Sequence, residues 1–174
     1  MLLAEKKKQQ NLSEYIIYMY QTEALLRSFD LDIAQIKARV IDNIPRKSLN
    51  DEGKAALLDW YRGIISEMKS ENLEKEGHLS FVQSEVKRLS DLSLQLQVED
   101  ENYRVLFNRA RPAIRASIVE SEGLINDPIQ ACLNGVFGLL LARLNGKEIM
   151  DETLAQLDHF GNVLSYLSVK VRGN

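Results

Sequence analysis

A chain of 174 residues is one domain's worth of sequence, long enough to bury a core without disulfides or metals. Its 45% hydrophobic and 27% charged content excludes both a disordered tail and a membrane-embedded bundle. The formal charge of −3 argues against the basic excess of non-specific nucleic-acid or anionic-lipid binders, and the single cysteine, Cys132, excludes an intramolecular disulfide.

Three prolines and nine glycines are few and favour helices over strands and turns. At the N-terminus Met1-Leu2-Leu3-Ala4 precedes Lys6-Lys7-Lys8, the reverse of a signal peptide's order. No window approaches the roughly 18 apolar residues of a membrane span. A cytoplasmic location is therefore expected.

The first helix is predicted to begin within Leu3–Leu12 and run to about Ser28, with Tyr15, Ile16, Met19 and Tyr20 on its apolar stripe. Asp30 or Asp32 caps a second helix that ends before Pro45. A third starts after Ser48 or Asn50 and carries Leu57, Leu58, Trp60, Tyr61, Ile64, Ile65 and Met68. The charged run Ser70–Gly77 reads as a loop closed by Gly77. A fourth helix follows from about Ser80, and a fifth after the acidic Glu99-Asp100-Glu101, where Pro112 should kink or split it. The sixth, about Asp127–Asn145, has a cap and Pro128 at its first position, and it is apolar nearly all round. Such a helix belongs at the centre. Gly135 and Gly138 would let a neighbour approach it closely. The last helix is capped by Asp151 and follows a 3.6-residue period through Leu154, Leu157, Phe160, Leu164 and Leu167. The expected fold is a single all-α domain over residues 1–174, of six to seven helices around the sixth.

Several segments together resemble a known family. They are Asn11-Leu12-Ser13-Glu14-Tyr15-Ile16-Ile17-Tyr18-Met19-Tyr20-Gln21, Asp59-Trp60-Tyr61, Glu76-Gly77-His78-Leu79, and Cys132-Leu133-Asn134-Gly135-Val136-Phe137-Gly138. The chain is similar, over nearly its whole length, to a bacterial family of short all-helical proteins of unknown function from the Bacteroidetes group. The resemblance implies a bacterial, cytoplasmic, all-α protein and brings no activity or site to any residue.

Chemical motifs are absent. A di-iron bundle needs Glu-x-x-His pairs, but Lys75 and Gln156 stand three residues before His78 and His159. No zinc cluster, nucleophile elbow or phosphate loop is present, so no catalytic residue, metal or cofactor is expected. Cys132, on the most apolar helix, reads as a small core hydrophobe. Arg104, Arg109, Arg111 and Arg115 form a basic segment that suits an anion or a weakly bound nucleic acid, or a solvated face. An aromatic cluster on the first and third helices could line an apolar pocket, completed by the fifth. Its ligand-binding residues would be Tyr18 and Tyr61, with Arg111 or Arg115 as anion anchor. The leading expectation is a non-enzymatic interaction or assembly protein that self-associates, because the helices carry more apolar surface than one buried helix needs and no catalytic constellation accompanies it. A small-ligand binder is the second reading, and nucleic-acid binding through the Arg104–Arg115 row the third.

Overall fold

The first expected helix divides at Asn11. Its backbone is extended and its side chain accepts the Glu14 amide at 3.1 Å, so it closes α1 (Leu3–Gln10) and caps α2 (Leu12–Ser28). This computed structural model describes residues 1–173, and all of their regular structure is helical. Asp32, not Asp30, caps α3 (Ile33–Ile36), which runs into a π-helical turn (Lys37–Ile41). Asp30 and Leu31 instead hold positive φ between the helices. Asn50 caps α4 (Asp51–Ser70) by accepting the Gly53 amide.

The remaining helices are α5 (Ser80–Glu99), α6 (Glu101–Glu120), α7 (Pro128–Leu144) and α8 (Asp151–Gly173). Pro112 neither splits nor ends α6. It lies on the exposed face, as does Asn108, so the carbonyl that the proline cannot bond is open to water. Asp151 stands inside the first turn of α8, where its charge meets the helix dipole, and not before it as a cap.

α2 is the element most enclosed by the others. Ile16, Met19, Tyr20 and Leu26 are buried, and the helix packs on α1, α5, α7 and α8. Glu23 meets Leu79 while Tyr20 meets Gln83, so α2 and α5 run antiparallel. The start of α6 meets the last turns of α8, and α4 lies against α3 and its π-helical extension. The expectation for α7 holds for only half of it. Ile129, Ala131, Cys132 and Leu133 are in the core, but from Gly138 to Leu144 no residue is fully buried. Apolar character all round announces burial only where neighbours extend far enough to supply it.

The caps also join helices. Asp100 accepts the Tyr103 amide with one oxygen, starting α6, and the Tyr166 hydroxyl of α8 with the other, at 2.7 Å. Asp127 accepts the Ile129 amide with one oxygen and the Ser90 hydroxyl of α5 with the other. Each carboxylate thus starts its own helix and fastens a second one. The bond from Tyr166, and then that from Tyr103, hold the Asp100 carboxyl below the usual carboxylate range.

A depressed folded-state pKa contributes stability that is present above the unfolded value, near 4, and lost as pH falls through the folded value. The melting temperature should therefore drop on acidification below about pH 4, with Asp100 supplying part of the drop. Asp100→Asn should melt lower at neutral pH and show a shallower acid limb. An unchanged profile in calorimetry across pH 2–7 would remove Asp100 from that role.

Candidate functional site

Of the four residues expected to bind a ligand, the structure assembles one with a groove. Tyr18 stacks on Trp60 with ring centroids 6.0 Å apart and planes 17° from parallel. Beside them a groove of ≈ 820 Å³ opens between α1, α2, the turn Ser48–Asn50 and α4, with Leu2, Leu3, Leu49 and Leu57 on its walls. Tyr61 tilts against Trp60 but is buried and does not line the groove; desolvation pushes its hydroxyl up to about 12. Arg111 and Arg115 sit on α6, which packs on α5, α7 and α8, so the expected pocket between the first, third and fifth predicted helices does not form. The reason is topological: α4 packs with α3 at the flank, away from α6.

The other candidates lie apart. Cys132 is fully buried, and burial, with a smaller push from Asp127, raises its thiol to about 12, the opposite of a reactive thiolate. His159 is half-buried on α8, and no group of three potential metal ligands exists among the described residues. His78 has a defined partner instead. Its Nδ1 lies 2.6 Å from Oε2 of Glu23, and its ring stacks on Tyr20 at 3.7 Å.

Glu23 is 0% exposed. Its other oxygen accepts the Leu79 amide at 2.9 Å, at the N-terminus of α5, where the helix dipole favours negative charge. One turn on, Arg27 donates to the carbonyls of Leu73 and Gly77. Together the two side chains of α2 dock the whole 71–79 loop. The polar contacts continue inward. The Tyr20 hydroxyl donates to Gln83 and accepts from Gln130, and Gln130 also donates to Asn134. Tyr20 covers one face of the His78 ring and Glu23 is fully buried, so the pair ties α2 to the start of α5. No motif points to Glu23. The available signal is a charge in a core register, at Ile16–Met19–Tyr20–Glu23–Leu26.

The second feature is an arm. Phe137 still meets Tyr20, with centroids 5.8 Å apart, and there the covered part of α7 ends. Leu140, Leu141 and Leu144 follow at helical spacing, and the turn and the first turn of α8 add Ile149, Met150 and Leu154. Leu144 and Met150 are 71% and 70% exposed, and none of the six is among the side chains packed on the core. From Pro128 to Ala142 there is no charged residue. Around the tip stand Arg143, Lys147, Glu148, Asp151 and Glu152, none in an ion pair among the described residues.

The two glycines of α7 part company here. A Cβ on Gly135 would lie 2.7 Å from the buried Phe160 ring, whereas one on Gly138 would meet nothing within 4 Å. Close approach is realised at the first and absent at the second. Gly135→Ala should cost about 1–3 kcal/mol through overpacking. Gly138→Ala should leave the chain unchanged or gain up to about 1 kcal/mol from helix propensity. Urea unfolding of dilute protein reads both, and equal effects at the two positions would contradict the packing described.

No curated protein and no solved structure matches the chain. A family model does, over residues 1–173: on that match the chain belongs to the family described as Domain of unknown function (DUF4924).

Proposed function

We propose that the protein is a non-enzymatic assembly protein that self-associates through the α7–α8 arm. One observation carries the reading: the exposed apolar side chains of Leu141, Leu144 and Met150, flanked by the half-buried Leu140 and Leu154, none of them packed on the core. Free apolar surface rimmed by charge marks interaction sites. A second copy suits it because the rim holds both signs. In a two-fold contact the same patch meets itself, so Arg143 and Lys147 of one copy face Glu148, Asp151 and Glu152 of the other. The seven residues Gly138–Leu144 span roughly 10 Å. An arm-to-arm contact is then smaller than the standard interface of about 800 Å² per partner, which sets a weak, concentration-dependent dimer. The setting we infer is the cytoplasm of a bacterium, supported by the lone, buried thiol of Cys132.

Sedimentation velocity between low and high micromolar concentration should show a sedimentation coefficient that rises with concentration. Leu141→Glu with Leu144→Glu should abolish the rise while leaving the melting temperature within a few degrees, since neither side chain packs on the core. A wild-type chain that stays monomeric at several hundred micromolar would end this reading.

A second reading has its own observation, the groove beside Tyr18 and Trp60. At ≈ 820 Å³ it lies within the usual size of small-molecule sites, and its walls are mostly apolar. Trp60 is the only tryptophan, so its emission reports this place alone. A ligand seated there should shift that emission and raise the melting temperature together, by about 2.7 kcal/mol of stability at 100 times its Kd. A metabolite screen flat in both signals would leave the groove a mere surface feature.

A further inference from the structure

Between Tyr103 and Val119, α6 carries four arginines and no acidic side chain, in a chain whose formal charge is −3. Arg104, Arg111 and Arg115 are seven and four residues apart, which puts them within roughly 20° of one line along the helix. Beside that line Val105, Pro112 and Val119 recur every seven residues, and all three are exposed, Val119 by 76%. Arg111 is held ready. Its guanidinium lies over the Phe107 ring at 5.2 Å, and its Nε donates to Asn108 Oδ1 at 3.2 Å, which leaves both Nη groups without a partner among the described residues. Arg104 reaches only the carbonyls of Gln97 and Val98, at 3.4 and 3.5 Å. Among the described residues no carboxylate pairs with any of the three.

An exposed apolar line with arginines on both sides is a surface that an amphipathic helix of opposite charge complements. We propose that this flank of α6 docks an amphipathic helix of a partner protein, whose own apolar seam is edged with Asp and Glu. Guanidinium forks match carboxylates in pairs, and three of them spaced by two turns and then one meet a helix with acidic residues at the same intervals. Nucleic acid fits less well. The aromatic rings of α6, Tyr103 and Phe107, are buried, so bases find nothing to stack on, and the acidic whole repels a phosphate backbone. The proposal uses α6 and not the arm, so it stands apart from self-association.

The test uses the full chain and three labelled probes in fluorescence anisotropy at low and physiological salt. One is a three-heptad helical peptide with Leu on its seam and Glu along the flank. The second has Lys in place of Glu, and the third is a 20-nucleotide single strand. The Glu peptide should bind and the other two should not. Arg111→Ala with Arg115→Ala should weaken it about tenfold, as expected for two partly exposed charge pairs. Arg39→Ala removes the same charge from the exposed π-helical turn, which packs on α4 and not on α6, and should change it less than twofold. Arg115→Ala alone, at an exposed site, guards against a folding defect and should cost about threefold. Equal binding of the Lys peptide, tighter binding of the oligonucleotide, or indifference to the arginine changes would overturn the proposal. Loss of self-association in the double variant would also overturn it, by giving the face to a second copy.

Discussion

A carboxylate with no access to water sits between three elements of this bundle, and the arrangement around it depends on how it is satisfied. Glu23 would be prohibitively unfavourable alone in the core. It is tolerated because the Leu79 amide, the His78 imidazole and the positive end of α5 all converge on it. That requirement fixes the place of α5 along α2, and it folds the 71–79 loop back over the end of α2. Tyr20, covered by His78, then passes the constraint to α5 and α7 through Gln83 and Gln130. An apolar residue at position 23 would leave the Leu79 amide without its acceptor and the His78 ring without its partner.

The same economy recurs at the surface. Asp100, Asp127 and Glu71 each use both oxygens: Asp100 and Asp127 serve their own helix and a neighbour, and Glu71 receives the amide and hydroxyl of Ser80 from nine residues away. α5 has no capping side chain at Leu79, and the two glutamates supply what it lacks. Helix ends in this fold are therefore tertiary contacts as much as local ones.

Local chemistry was legible. Asn50, Asp127 with Pro128, Gly77 and the periodicity of α8 give the helix list nearly as it stands, because caps and stripes act within a few residues. Partners far along the chain were not legible. The match of Glu23 with His78 spans 55 residues, and nothing in either neighbourhood names the other. The aromatic cluster was half readable: Tyr18 and Trp60 do meet, but the placement of α6 away from α4 depends on α8, which α6 packs against. Membership of a family of unknown function adds the extent of the unit and no chemistry.

One residue, Asp100, is all that separates α5 from α6. Two twenty-residue rods joined by a single extended residue have almost no slack, and Asp100 is also bonded to α8. The corner behaves as a mechanical joint without play. A shift of α6, whatever binds it, is delivered to α5 and α8 together. The linker from Ser121 to Asn126, with Gly123 at positive φ and Leu124 in solvent, gives slack ahead of Asp127, the residue that ties the start of α7 to α5. Evolution could lengthen the chain there cheaply, since loop entropy grows only logarithmically with length. At Asp100 a single inserted residue would turn one helix against the other.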